Sequence, residues 1–170
     1  MGVIERVIGV AEFEGAAREA VHALKYQNRH AISGLMGRLM ADAAAEAGGS
    51  LVVHVALHSS RRRERGYDQA AMLSRHLAQA LSLPFEAKAL VRVRKTLDQV
   101  QLAVAERKLN LENAFKCEAR LHGENVLLVD DVYTTGSTLT AAGQALRESG
   151  AGEIIGLVFA RAEAGADRRP

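Results

Sequence analysis

The chain has 170 residues, enough for one domain with its own core. Hydrophobic residues make up 48% and charged residues 25%, the proportions of a soluble globular protein, and no apolar run is long enough to cross a bilayer. A net charge of +2 argues against a chain-wide polyanion binder, and a lone cysteine, Cys117, excludes an internal disulfide and a four-thiolate zinc site.

Glu5, Arg6, Glu12 and Glu14 spread charge through the N-terminal stretch, which therefore does not read as a signal peptide. With so little cysteine the expected location is the cytoplasm. Residues 3–13 predict one or two short strands ending at Phe13. A helix follows from Gly15 to Leu24, then a polar turn, Gln27-Asn28-Arg29-His30. Ile32, Leu35, Met36, Leu39, Met40 and Ala43 recur at helical spacing, so a second amphipathic helix is expected, closed by Gly48-Gly49. Leu51 to Leu57 reads as a buried parallel strand, with His54 inside it as a core histidine.

Beyond that strand come His58-Ser59-Ser60 and four arginines, Arg61, Arg62, Arg63 and Arg65. A charge run of this kind usually faces solvent. Placed after a buried strand and before Gly66, it also suits a phosphate. A helix with Leu73, Leu77 and Leu81 on one face starts near Asp68, Pro84 interrupts the chain, and a strand is expected over 85–93. Residues 94–112 are polar and read as a loop with a short helix. A short strand is expected over 114–117 and a turn at Gly123.

Residues 126–138, VLLVDDVYTTGST, are the most informative stretch. Four apolar residues, Val126 to Val129, read as a buried strand, and the carboxylates Asp130 and Asp131 follow it. The loop from Tyr133 to Thr138 then leads into a helix that carries Leu139, Ala142, Ala145 and Leu146. Any one hydroxyl here reads as a helix cap. As a set, Thr134, Thr135, Ser137 and Thr138 surround Gly136 at a helix start, which suits a phosphate. The acids repel a phosphate and suit an adjacent diol or a metal, so the ligand chemistry is that of a ribose 5-phosphate. A Walker B reading requires a GxxxxGK[ST] loop, and the chain contains neither that nor GxGxxG. A last strand is expected over 154–159. Strands and helices alternate throughout, which predicts one α/β domain over 1–170: a central, mostly parallel sheet with helices on both faces. Ligands in such sheets bind at the carboxyl ends of strands.

The 126–138 string closely resembles the phosphoribosyl-pyrophosphate (PRPP) motif of type I phosphoribosyltransferases. LKYQNRHA at 24–31, RERGYDQA at 63–70, R-x-R-x-T-x-x-Q at 92–99 and ER-x-x-N at 106–110 come in the order found in ComF-like proteins, which are linked to DNA uptake. This resemblance covers about residues 10–162. It implies the type I phosphoribosyltransferase fold with a small N-terminal hood. It also implies a Mg²⁺-dependent protein in which pyrophosphate is displaced at C1 of PRPP by an acceptor of unknown identity.

On the same resemblance Asp130 and Asp131 act on the ribose hydroxyls, or on Mg²⁺ through water, and stabilise the cation-like transition state. Thr134, Thr135, Gly136, Ser137 and Thr138 hold the 5-phosphate. His58, Ser59, Ser60, Arg61 and Arg65 hold the pyrophosphate, and Arg94, Lys95 or Arg107 close over the site. The implied partners are single-stranded DNA and a competence DNA-translocase ATPase. A non-catalytic PRPP-binding or DNA-binding module is the alternative, although 4% aromatic residues offer few stacking platforms for a strand. No membrane insertion is expected, and the oligomeric state, a homodimer included, is left open. The chain departs from the family in three places: it has no four-cysteine zinc module, Ala56-Leu57-His58 stands for Pro-Leu-His, and Tyr67-Asp68 stands for Phe-Asn. Asp68 suits either a Mg²⁺ ion or the cap of the following helix.

Overall fold

In the computed structural model, residues 2–27, 29–94 and 113–162 are described. The apolar runs become parallel strands: β1 (Arg6–Glu12), β2 (Leu51–His54), β5 (Val126–Tyr133) and β6 (Ile154–Arg161), in the order β1-β6-β5-β2. Leu51 to His54 lie opposite Val126 to Val129, and Val126 to Tyr133 lie opposite Ile154 to Arg161. Two short strands, β3 (Leu90–Arg92) and β4 (Phe115–Cys117), form a separate antiparallel pair.

Because successive strand side chains face opposite ways, each buried run fills two cores. Val53, Leu128 and Val158 face one side, where they meet Leu139 and Leu146 of helix α5 (Ser137–Glu148) and Leu90 and Phe115 of the β3–β4 pair. Val52, Leu127, Leu157 and Phe159 face the other. There they pack on α1 (Gly15–Tyr26), α2 (Ile32–Ala44) and α4 (Gln69–Leu81) through Val21, Leu24, Met36, Met40, Leu73 and Leu77. Gly37 allows α2 to lie close against α4: a Cβ there would come 2.5 Å from the His76 Cβ and 3.1 Å from the Leu73 carbonyl oxygen. This is the expected α/β sheet with helices on both faces. The N-terminal β1 joins the sheet as an edge strand, and the last turn of α1 reaches the carboxyl end of β5, where Lys25 meets Asp131.

Four local expectations change. β2 ends at His54 rather than Leu57, because Asp68 takes up the Leu57 N–H. The arginine-rich stretch is a short helix, α3 (Ser59–Arg65), started by His58 and closed by Gly66 at φ 82°. The strand expected over 85–93 shrinks to a single bridge between Val52 and Phe85 followed by β3, because the Ala89 N–H turns back to the Glu86 carbonyl. The strand expected to stop at Val129 runs on to Tyr133, so the acid pair lies inside β5.

Neighbouring strands β2 and β5 send their chains to opposite faces. After β2 the chain goes to α4, and after β5 it goes to α5. Their carboxyl ends therefore open onto a crevice at a switch in strand order, the place where ligands bind in open α/β sheets.

Candidate functional site

Consecutive strand residues point to opposite faces, so the two acids separate. Asp131 goes to the helix side, 4% exposed, where its Oδ2 meets the Lys25 Nζ at 2.9 Å. Burial alone would lower the Lys25 ammonium, but the charge and hydrogen bond of Asp131, with Asp130 behind, hold it above its usual value. Asp130 is half-buried and accepts the Asp131 N–H on Oδ1 at 2.8 Å. It makes no salt bridge among the described residues. Burial and the adjacent Asp131 charge push its carboxyl up to about 8, against the pull of Lys25. Arg92 of β3 lies within range of both Asp130, whose charge favours its guanidinium, and Arg61, whose charge opposes it. With burial the largest influence, Arg92 is held below its usual value.

The hydroxyl loop follows directly. Thr134 and Thr135 are exposed, and Gly136, Ser137 and Thr138 are half-buried around the start of α5. Thr135 Oγ1 and Ser137 Oγ are 2.9 Å apart. Gly136 has φ 76°, and a Cβ there would lie 2.8 Å from the Tyr133 hydroxyl, so the turn requires glycine twice over. The first N–H groups of α5 lack intrahelical partners, as at any helix start. A hollow of about 260 Å³ borders this loop, lined by Thr135, Gly136 and Thr140 with Val3, Ile4 and Val7. A larger groove of about 630 Å³ runs along the outer face of α1 past Arg18, His22 and Arg29. The acid pair lines neither.

Across the crevice, His58 accepts the Ser60 N–H on Nδ1 at 3.3 Å, with the Ser60 hydroxyl 2.9 Å away. Ser59 is exposed and Arg61 half-buried. Arg65 is engaged elsewhere: it donates to the Gln69 side-chain carbonyl and lies over the Tyr26 ring at 5.5 Å. The Tyr67 hydroxyl donates to the Leu24 carbonyl. The last turn of α1 is thus fastened to both sides of the crevice. Asp68 caps α4, accepting the Ala71 N–H at 3.1 Å, and its other oxygen takes the Leu57 N–H at 2.9 Å and lies 3.6 Å from His54 Nε2. Burial would raise this carboxyl, but His54 and the two N–H donors hold it below its usual value. His54 is a core residue as expected, with its ring edge-on to Phe85 at 5.7 Å.

The structure therefore brings together Asp130, the 134–138 loop and the 58–61 segment, while Asp131 and Arg65 turn to partners within the protein. Arg94 is exposed just past β3; Lys95 and Arg107 lie outside the described residues. Lys25 is the site residue that sequence reasoning leaves without a role; Arg92 reads in the sequence only as part of a basic cluster with Arg94 and Lys95 that suits phosphates. Among the described residues no cluster of three or more His, Cys, Asp or Glu can hold a metal, and no helix is long and apolar enough to cross a membrane.

The sheet, its helices and this crevice define a type I phosphoribosyltransferase fold. A solved structure of the glutamine PRPP amidotransferase of B. subtilis, complexed with ADP and GMP, superposes with a TM-score of 0.54 at 21% identity, over 79% of this chain and 30% of that one. At that identity the likeness shows the fold alone. The sequence model of the phosphoribosyl transferase domain matches residues 64–169. DNA utilization protein YhgH of Salmonella typhi is 33% identical over 157 residues, 88% of this chain and 69% of that protein. Competence protein F of Haemophilus influenzae is 34% identical over 152 residues, 84% of this chain and 66% of its own length. The chain belongs to the phosphoribosyl transferase domain family, among its ComF-like members.

Proposed function

We propose that the chain binds PRPP and transfers its phosphoribosyl group to a nucleophile, in the DNA utilization and competence setting for which its relatives are named. The observation that carries this reading is Asp130. It is a carboxyl that makes no salt bridge among the described residues, set at the switch crevice beside a hydroxyl loop and a helix start. A carboxyl in such surroundings gains most from a diol or a cation brought by a ligand.

On this reading Thr134, Thr135, Ser137 and Thr138, with the N–H groups of α5, hold the 5-phosphate, and Asp130 accepts from the ribose hydroxyls. His58, Ser59, Ser60 and Arg61 hold the pyrophosphate, with Arg92 between that segment and Asp130. The C1–O bond to pyrophosphate breaks and its electron pair leaves with pyrophosphate. A bond forms from the nucleophile, usually nitrogen, to C1, and the nucleophile's proton passes to solvent. Once a ligand's cation has displaced its proton, Asp130 stabilises positive charge on the ribose, and donors on the diphosphate stabilise the leaving group. The donor set fits Mg²⁺: one carboxylate is available, and magnesium commonly takes one or two carboxylates with its remaining ligands from substrate phosphates and water. When bound, Mg²⁺ neutralises the diphosphate.

A second reading, a PRPP-binding module without catalysis, is favoured by one observation: Lys25 already neutralises Asp131, leaving a single acid for the ligand. Pyrophosphate release with a panel of bases and amines separates the two. Calorimetry with PRPP and Mg²⁺ tests the shared part. Wild type should bind, and Asp130→Asn/Asp131→Asn should bind far more weakly. Equal affinity in the double variant removes the ribose role.

A further inference from the structure

The ComF-like asparagine that stands at residue 68 is here an aspartate, and its place in the fold gives it work that helix capping does not exhaust. We infer that Asp68 is a positioning residue of the pyrophosphate segment, fixing the backbone at Leu57 immediately before His58, Ser59 and Ser60. This rests on the reading proposed above and assigns a group on which that segment depends.

Asp68 is 8% exposed and uses both oxygens. Oδ1 accepts the Ala71 N–H at 3.1 Å, and Oδ2 accepts the Leu57 N–H at 2.9 Å. One carboxylate therefore closes the base of the loop that runs from Leu57 to Asp68. On the far side, α4 is buried against the sheet through Leu73 and Leu77. On the near side, Val55 is tied to β5 by its N–H to the Val129 carbonyl at 2.8 Å. Between these fixed points Leu57 has left the sheet, and the Asp68 carboxylate takes the place of a strand neighbour for its N–H. His54 Nε2 lies 3.6 Å from the same Oδ2, while His54 Nδ1 is buried without a hydrogen-bond partner among the described residues, so the ring's polar contact is with Asp68. An asparagine offers one acceptor oxygen. It can cap α4 or hold Leu57, but not both.

A purely structural Asp68 would act on every ligand alike, whereas a positioning Asp68 acts on the ligand that uses the segment it holds. Calorimetry on the full chain with Mg²⁺ uses PRPP, inorganic pyrophosphate and ribose 5-phosphate against wild type, Asp68→Asn and Asp68→Ala, with thermal midpoints recorded alongside. Asp68→Asn is expected to lose about tenfold in affinity for PRPP and for pyrophosphate, and to keep ribose 5-phosphate affinity within about twofold. Asp68→Ala should lose more on the same two ligands. Should Asp68→Ala fail to fold, Asp68→Asn, which keeps one acceptor oxygen, decides alone. Equal losses on all three ligands, or no loss on any, overturn the inference and leave the proposed function standing. A wild type that binds none of the three removes both.

Discussion

The carboxyl ends of β2 and β5 lie side by side, and each has a carboxylate at its exit, but the two are treated in opposite ways. Asp68, which serves the β2 end, takes two backbone N–H groups and sits beside His54, and its pKa is lowered. Asp130, at the β5 end, has one N–H and a like charge next door, and its pKa is raised. Neighbouring Asp131 belongs with Asp68: its charge is met by Lys25. A carboxylate whose partners are internal holds architecture in place. One that makes no salt bridge among the described residues is held ready for a ligand, at the expense of stability.

The contrast predicts a ranked set of effects. The largest is on stability. Lys25→Met strands the buried Asp131 carboxylate and should cost about 3–5 kcal/mol, a fall of about 6–20 °C in Tm by calorimetry. Adding Asp131→Leu should recover much of it. A Lys25→Met protein as stable as wild type would mean that Asp131 is no more committed than Asp130.

Next comes Asp130→Asn, which should lower PRPP affinity on the order of 100-fold, from about 2–3 kcal/mol of charge-assisted hydrogen bonds. It should also raise stability in a defined pH window. Burial and the Asp131 charge push the folded carboxyl up to about 8, from an ordinary 3.8. As pH rises from about 4 to 8 the unfolded chain gives up this proton while the folded chain keeps it, so wild type loses stability across that interval. Asp130→Asn should therefore melt at least about 3 °C higher at pH 9 and match wild type near pH 4. Lower stability at pH 9 would count against a carboxyl held without partners.

Gly136→Ala should cost about 1–2 kcal/mol, because alanine at φ 76° is strained and its Cβ meets the Tyr133 hydroxyl. Urea unfolding measures this, and PRPP affinity should fall with it. The smallest effect concerns Asp68. Its pKa is lowered, so its contribution is complete above the unfolded value and is lost as pH falls through the folded value, below 3.8. Asp68→Asn should flatten the acid limb of the stability profile below about pH 4, followed by circular dichroism.

Much of this arrangement was readable from the chain alone. Val126 to Val129 and Ile154 to Phe159 are apolar runs that only a buried parallel strand accommodates, and the Met36, Met40 and Leu73, Leu77 spacings are helical. The loop from Thr134 to Thr138 kept its place at a helix start. What sequence reading missed has physical causes. Aspartates are depleted in strands, so β5 was ended at Val129; pairing with β6 as far as Arg161 carries it through both acids. Ser59 to Arg65 has no apolar stripe to mark a helix, and the His58 cap supplies the signal instead. Lys25 acts through Asp131, a partner far along the chain, and no spacing rule reaches that distance.

Strand β1 has its partner at the opposite end of the sequence: Arg6 to Glu12 run beside Ile155 to Arg161. During synthesis β1 leaves the ribosome well before β6 and has no ladder to join until β6 has followed. It therefore waits as an unpaired strand until β6 emerges. Sheet completion is consequently a late event, slow because its contacts are distant in sequence. A chain cut short before Ile154 would lack β6 and release β1 with it, opening the sheet at two strands rather than one.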